Sequence, residues 1–234
     1  MIHRRGRWLL PALSLLGLGL FAALGIWQIE RRAWKLDLIE RVEARIAAAP
    51  ATIPPRARWP ALSPQAIEYT RVRATGRFLH ARETLVDALT ERGPGFWVLT
   101  PLATGEGMVL INRGFVPRER RDPASRPAGQ VPGTVTVVGL LRLSEPGGRI
   151  LRANHPGEER WYSRDVAAIA RARNLSTPAP FFIDADAAPN PGGYPVGGLT
   201  VVRFRNTHLA YALTWFALAG LCGLGVILSL RASV

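Results

Sequence analysis

The hydrophobic pattern contains two long apolar stretches, one near each end of the sequence. The first runs from Trp8 to Ile29 and the second from His208 to Leu230, each with about 22 residues free of Asp, Glu, Lys and Arg. A helix of that length is about 33 Å long, enough to cross the hydrocarbon core of a bilayer. The pattern therefore predicts transmembrane helices over 8–29 and 206–230. No small-residue cleavage site follows the first stretch, so we expect a retained anchor and not a signal peptide.

Helical periodicity continues beyond the first apolar stretch. Trp34, Leu38, Val42 and Ile46 recur at helical spacing among charged residues. We therefore expect a juxtamembrane helix over 30–49. Five prolines within 50–64 then predict an extended connector and not a helix.

The central region, 50–205, has the alternation of apolar and polar residues that is typical of strands. In Tyr69–Leu79, Val72, Ala74 and Phe78 point to one face and three arginines to the other. Further strands are predicted at 83–89, 96–102, 107–116, 134–143, 181–184 and 199–204. Between them we expect a turn at 93–95 and a mobile loop at 117–133. One short helix, capped by Ser163, is predicted over 164–173. Runs of strands joined by short turns favour an antiparallel sheet or small barrel. The predicted fold class is an α+β membrane protein with two transmembrane helices flanking a β-rich extracytoplasmic domain.

The charge distribution predicts the topology. The chain has 30 basic and 17 acidic residues, a net charge of +13. Arginines on both short flanks (1–7 and 231–234) favour the cytoplasmic side, so we expect both termini in the cytoplasm and the main domain in the periplasm, outside the cytoplasmic (inner) membrane. Because the other arginines are scattered and face away from the cytoplasm, we expect membrane lipid and no nucleic acid as a partner.

Few side chains outside the helices suggest chemistry. The single cysteine, Cys222, lies in the second apolar stretch, so the outer domain has no disulfide and no thiolate metal site. Asp184 and Asp186 share one face of a strand and could bind a cation, or they could mark the end of a strand at a turn. His80 and His155 lie in loop-like sequence and are expected to be solvated. With no nucleophile–base pair in view, we predict that the protein is not an enzyme.

Small residues four apart occur in both apolar stretches. They are Gly19 with Ala23 and Ala219 with Gly223. Such pairs let helix backbones approach closely, which predicts a hairpin of the two helices. Ordinary use of Gly and Ala in membrane helices would give the same pattern.

The outer membrane rim gathers the most suggestive residues, because the end of the first helix and the start of the second meet there. His208, Tyr211 and Trp215 share one helix face, and Asn206 stands at an N-cap position. Around them we expect Arg203 and the candidate binding residues Trp27, Gln28, Arg31, Arg32 and Arg205. One interpretation is a haem edge, with imidazole on the iron and guanidiniums on the propionates. The other is an aromatic belt with arginines that bind lipid headgroups.

A set of short motifs runs through almost the whole chain in order. They are Leu24-Gly25-Ile26-Trp27-Gln28 with Arg32 and Trp34-Lys35, Gly95-Phe96-Trp97-Val98, Asn112-Arg113-Gly114-Phe115-Val116-Pro117, Trp161-Tyr162 with Asp165, Phe182-Ile183-Asp184, Gly193-Tyr194-Pro195, and Asn206-Thr207-His208-Leu209-Ala210-Tyr211-Ala212 with Trp215. With these motifs the chain resembles the surfeit locus protein 1 family, membrane-bound assembly factors for haem-copper cytochrome c oxidase.

The resemblance implies a role in maturing the oxidase. Haem a would bind transiently, with His208, the histidine of the Asn-x-His motif, on its iron, and would be inserted into cytochrome c oxidase subunit I. Haem a synthase is a further expected partner. The alternative is a cofactor-free membrane scaffold that holds subunit I or other assembly factors.

Overall fold

The computed structural model describes residues 8–149, 151–200, 202 and 204–231. The chain forms two compact units, Met1–Arg41 with Val202–Val234, and Val42–Val201. The first unit consists mainly of helix and the second mainly of sheet.

Among the described residues, two helices are long and apolar enough to cross a membrane. Helix α1 is Leu9–Ala47, one continuous helix of 39 residues, and helix α4 is His208–Arg231, with 24 residues. Large apolar side chains remain exposed along both, for example Leu16 at 71% and Leu213 at 63%. Such surfaces match the hydrocarbon of a bilayer. The assignment of tails, membrane helices and outer domain to sides of the membrane stays a prediction.

Helices α1 and α4 pack antiparallel along a seam of small residues. A methyl group on Gly17 would lie 2.9 Å from Sγ of Cys222, and one on Gly25 would lie 2.5 Å from the Phe216 ring. At both places the absence of a side chain lets the helices approach this closely, and an added Cβ would force the neighbouring side chain to move. The predicted helix hairpin is therefore present.

The hairpin uses only one of the two predicted pairs of small residues. Ala219 is buried, and a methyl group on Gly223 would lie 3.9 Å from Leu18. By contrast, a methyl group on Gly19 would meet nothing within 4 Å, and Ala23 is exposed. The prediction for Gly19 and Ala23 is wrong because both lie on the face of α1 that points away from α4.

The second unit contains a mixed sheet of seven strands in the described residues, in the order β1-β2-β6-β7-β5-β4-β3. The strands are β1 Ala51–Thr52, β2 Arg71–Phe78, β3 Thr84–Thr90, β4 Gly93–Thr104, β5 Gly107–Pro117, β6 Thr134–Leu143 and β7 Pro178–Ala185. Strand β2 also pairs with β4 over Gly76–Phe78, which closes β2, β6, β7, β5 and β4 into a small barrel. The predicted small barrel is confirmed. The β1–β2 and β5–β7 pairs are parallel, so the sheet is not wholly antiparallel.

The alternation in β2 separates the core from the surface as predicted. Val72 and Ala74 are each 1% exposed inside the barrel, whereas Arg73 and Arg77 are exposed. A second apolar cluster lies where the short helix α3, Val166–Ala172, packs on Phe182 of β7 with Ile169. The sheet is therefore filled by one core within the barrel and covered by another beneath α3.

Segments predicted to lack regular structure are folded. The proline-rich stretch at 50–64 contains β1, a 3-10 helix at Arg56–Ala61 and the start of helix α2, Pro64–Ile67. Proline is tolerated in the first turn of a helix, where its missing N–H has no partner to lose. The predicted loop at 117–133 contains three 3-10 turns. The glycines and proline of 93–95 belong to β4, and the turn lies before them.

Two further boundaries differ from the prediction. Helix α3 begins at Val166, and its cap is Asp165, whose side chain accepts a hydrogen bond from the Ala168 N–H. Ser163 instead donates to the carbonyl oxygen of Glu145, at 2.7 Å. In the predicted strand at 199–204, the described residues 199, 200, 202 and 204 are outside any strand, and 201 and 203 lie outside the described residues.

Candidate functional site

His208 and Gln28 bond to each other across the helix hairpin. His208 is the first residue of α4, and its Nδ1 lies 2.7 Å from Oε1 of Gln28 on α1. Because an amide oxygen only accepts, Nδ1–H donates, and in the neutral ring the lone pair is then on Nε2. A histidine held in this way presents Nε2 to a metal.

Aromatic side chains line the seam below this pair. Trp215 is half-buried and stacks on Phe21, with ring centroids 5.6 Å apart and planes inclined by 16°. Ala212, one turn from His208, is fully buried. Tyr211, which was predicted to share this face, is 55% exposed and points outwards, away from the seam. Trp215 and Tyr211 therefore lie in different surroundings.

Cationic groups lie at the same end of the hairpin. The exposed Arg31 places its guanidinium carbon 4.1 Å from the centre of the Trp34 ring, one turn further along α1. Arg32 is half-buried, and Arg205 is exposed. Trp27 is 52% exposed. The predicted residue Arg203 lies outside the described residues.

Lys35 and Phe204 are two further residues of this region that were not among the predicted site residues. The Lys35 ammonium lies 5.2 Å from the centre of the Phe204 ring, so it contacts the segment that leads into α4. The signal was present, because Lys35 follows Gln28 at i+7 on one helix face. A second cation is thus brought to the side of α1 that carries Gln28.

Asn206 does not cap α4 as predicted. The helix begins at His208, so the cap position is that of Thr207, whose carbonyl oxygen accepts from the Tyr211 N–H at 3.3 Å. The side-chain oxygen of Asn206 is buried and has no hydrogen-bond partner among the described residues. A buried acceptor without a donor is uncommon, which marks this end of the helix as a place where a ligand or a solvent molecule can be bound.

The donor set fits a haem better than a free metal ion. Within the described residues, no three His, Cys, Asp or Glu side chains come close enough to hold a metal ion. A haem needs only an axial nitrogen, cations for its propionates and apolar cover for its ring. The hairpin offers one imidazole, exposed guanidiniums and several aromatic rings.

Of the two interpretations of Asp184 and Asp186, the structure supports the end of a strand and not a cation site. Asp184 is 3% exposed, and its carboxylate accepts from Asn112 Nδ2, Arg142 Nη1, Arg164 Nη1 and Thr200 Oγ1 at 2.7–3.2 Å. Asp186 lies beyond the end of β7 and bonds to the Ala188 N–H. We call Asp184 and these four donors the Asp184 cluster. Its carboxylate is occupied by protein donors, so it holds the barrel together instead of a cation.

Charges around this cluster shift two pKa values. Burial lowers the pKa of Arg164, but the carboxylates of Asp184 and Glu145 outweigh it and raise that pKa above its usual value. Burial likewise opposes ionisation of Glu145, yet the hydrogen bonds and charge of Arg164 hold its pKa below the usual value. Both groups are therefore charged at neutral pH.

Two buried arginines were also missed. Arg126 forms an ion pair with Glu83, and both side chains are almost fully buried. Arg113 is 2% exposed, lies 4.7 Å from the centre of the Phe78 ring and donates to Asn190 Oδ1. Burial lowers the pKa of Arg113 to about 10, with Glu83 raising it and Arg126 lowering it further. Arg126 itself lies in the folded segment at 117–133, and Arg113 also donates to the Gly129 carbonyl oxygen, so both arginines hold that segment on the barrel.

The two lone histidines differ. His155 is exposed, as predicted. His80 is half-buried, with Nε2 2.9 Å from the Val131 carbonyl oxygen and Nδ1 buried without a partner in the described chain. The prediction of a solvated His80 is wrong because the folded segment at 117–133 covers it.

Comparison with known proteins identifies relatives over most of the chain. The model of the SURF1 family matches residues 15–220, which include every predicted site residue. Surfeit locus protein 1 of Homo sapiens is 35% identical over 231 residues, 91% of this chain and 73% of that protein. The Rattus norvegicus protein of that name is 38% identical over 216 residues, 85% of this chain and 67% of that protein. A SURF1-like protein of Monosiga brevicollis is 39% identical over 213 residues, 85% of this chain and 78% of that protein.

Proposed function

Because the chain belongs to the SURF1 family, we propose that it is a membrane-bound, non-enzymatic assembly factor for haem-copper cytochrome c oxidase. It binds haem a as a transient cargo at the outer rim of its helix hairpin and helps its insertion into oxidase subunit I. The observation that carries this proposal is His208, bonded through Nδ1 and left with the Nε2 lone pair.

The chemistry of the surrounding side chains supports haem as the cargo. Imidazole Nε2 is a common axial ligand of haem iron. Arg32 and Arg205 can pair with propionates, because guanidinium groups bind carboxylates in a bidentate manner. Trp27 and Tyr211 are exposed aromatic residues that can cover the edge of a macrocycle.

The location follows from the charge pattern of the flanks. With arginines at both ends favouring the cytoplasm, the rim with His208 faces the periplasm of the inner membrane. At this rim the cargo is presented to subunit I, and haem a synthase is a further partner in the proposal.

Absorption spectroscopy of detergent-purified protein tests this function. The chain is coexpressed with haem a synthesis as wild type, as His208→Ala and as His155→Ala, whose histidine is exposed in the other unit. We expect a reduced haem a band in the wild type and the His155 variant, and its loss in the His208 variant. Equal bands in all three would reject His208 as the ligand.

One observation favours the alternative function, a membrane scaffold that binds no cofactor. The arginine face of β2, formed by Arg71, Arg73 and Arg77, provides a charged surface for a protein partner. Arg73 and Arg77 are exposed, and Arg71 is half-buried with its Nη2 3.8 Å from Asp186 Oδ2. If the scaffold function is correct, subunit I copurifies with the chain from cells that make no haem a. The double variant Arg73→Ala, Arg77→Ala should then abolish the copurification. Copurification only when haem a is made would reject it.

A further inference from the structure

Gln28 is a polar residue within an apolar helix, and its side chain bonds to His208. It is 9% exposed, three residues after Gly25, in the same packed seam. An uncharged amide inside a membrane helix is unfavourable unless it is hydrogen-bonded, and its Oε1 has Nδ1 of His208 at 2.7 Å. Gln28 therefore lies behind the imidazole, on the side opposite Nε2.

We propose that Gln28 is a positioning residue for the cargo ligand. By accepting the Nδ1 proton it fixes the tautomer of His208, orients the ring and keeps the Nε2 lone pair directed out of the seam. This inference rests on the proposed function, because it needs His208 to be the iron ligand.

The chemical type of the acceptor determines how tightly the cargo is held. A carboxylate behind a ligating histidine draws the proton more strongly and makes the imidazole a stronger donor to the metal. A neutral amide fixes the same tautomer with a weaker pull. Gln28 thus gives an orientation without the strongest binding, which suits a cargo that must be passed on.

Small residues around Gln28 make the contact possible. Gly25 admits the Phe216 ring, and Ala212 is fully buried one turn from His208. Both allow the helices to approach closely enough for a glutamine side chain to reach an imidazole on the other helix. The hydrogen bond between Gln28 and His208 therefore depends on the close packing of the two helices and not on the sequence next to either residue.

The experiment titrates haem a into the detergent-purified full chain. Four variants accompany the wild type: Gln28→Leu removes the acceptor at similar length, Gln28→Glu keeps it and adds charge, and His208→Ala removes the ligand. Thr214→Val is the matched control, since Thr214 is exposed on α4 and bonds only to its own helix, to the Ala210 carbonyl. Affinity is measured by absorption, and the reduction potential of bound haem by spectroelectrochemistry.

We expect Gln28→Leu to weaken haem a binding by about 10–100-fold, the usual loss when a partner behind a metal ligand is removed. Gln28→Glu should retain binding and shift the reduction potential to more negative values, because a stronger donor stabilises ferric iron. Thr214→Val should match the wild type in both measurements. A purely structural role for Gln28 would not move the potential.

The outcomes separate the two proposals. Wild-type affinity and potential in Gln28→Leu and Gln28→Glu, with binding lost in His208→Ala, would overturn the role of Gln28 and leave the proposed function intact. Unchanged binding in His208→Ala would overturn the ligand assignment itself. Equal loss in Gln28→Leu and Gln28→Glu would show that the amide nitrogen is the essential group, which overturns the inference. If Gln28→Leu fails to fold, the potential of Gln28→Glu still decides.

Discussion

The barrel and the helix hairpin each enclose a polar centre in apolar surroundings, but the two centres differ in how fully they are bonded. In the Asp184 cluster, one carboxylate accepts from four side-chain donors, two of them cationic. Among the described residues, the His208 ring has one hydrogen bond, through Nδ1, to a neutral amide. The comparison teaches that a polar group with all its partners supplied by the protein stabilises a fold, whereas one with a remaining lone pair is available for a ligand.

Breaking the Asp184 cluster should have the largest effect. Asp184→Ala leaves Arg142 and Arg164 without their shared carboxylate, and removing one partner of a buried pair costs about 3–5 kcal/mol. Chemical denaturation in detergent, followed by tryptophan fluorescence, to which the buried Trp59 and Trp161 of the barrel contribute, measures it. Asp186→Ala is the control and should change the free energy of unfolding by less than about 0.5 kcal/mol. Equal effects of the two variants would contradict the division of roles between these aspartates.

The seam of the hairpin can be locked by a covalent bond. In Gly17→Cys the new Cβ lies 3.8 Å from Cβ of Cys222, within the range of disulfides, so oxidation should join the helices and add about 2–4 kcal/mol of stability. Mass spectrometry of the oxidised, alkylated protein detects the bond. Gly19→Cys is the matched control, since nothing lies within 4 Å of its Cβ. A bond to Cys222 from the control position, or none from position 17, would contradict the seam.

A smaller change should loosen the seam near the rim. In Gly25→Ala the added methyl group collides with the Phe216 ring, which is 40% exposed and can swing outwards, so we expect a loss of about 1 kcal/mol. Haem a affinity should fall with it, because Gln28 lies on the next turn. Thermal unfolding and absorption titration measure the two effects. Gly19→Ala should alter neither, and a matching loss there would mean that general helix stability is responsible.

Acid should weaken the barrel slightly. The folded-state pKa of Glu145 is held below its usual value, so its ion pair with Arg164 contributes stability above pH 4.5 that is lost as the pH falls through the folded value. Since the Glu145 side chain is 39% exposed, solvent screens the pair and the loss is about 0.5 kcal/mol. Denaturation of wild type and Glu145→Gln at pH 7 and below pH 4 checks this. An equal acid response in both would assign the effect to other carboxylates.

The helices and strands with a clear pattern of apolar and polar residues could be predicted from the sequence. The alternation of Val72 with Arg73 identified β2 and its inner face, and the two apolar stretches identified both long helices. The parallel β5–β7 pair and the closure by β2 and β4 could not be predicted, because they join segments that are distant in the chain. Likewise, Arg126 looks like a surface residue until the fold brings Glu83, 43 positions away, against it.

The candidate site was predicted as a list of residues and not as a set of contacts. His208 and Gln28 both follow from the motifs, but their hydrogen bond depends on how each helix is rotated. Uniformly apolar helices contain no periodicity that fixes rotation, which is why the Gly19 face was assigned to the seam. Only packing of Gly17 and Gly25 against α4 determines that Gln28 faces His208.

The position of β7 constrains how the chain is made. This strand is inserted between β6 and β5, yet it is the last strand to leave the ribosome, just ahead of the second apolar helix. Until it arrives, β5 and β6 each carry a row of unpaired backbone groups, which are templates for aggregation. The barrel therefore completes late, when almost the whole chain has been synthesised, and the unfinished domain exposes these strand edges until then.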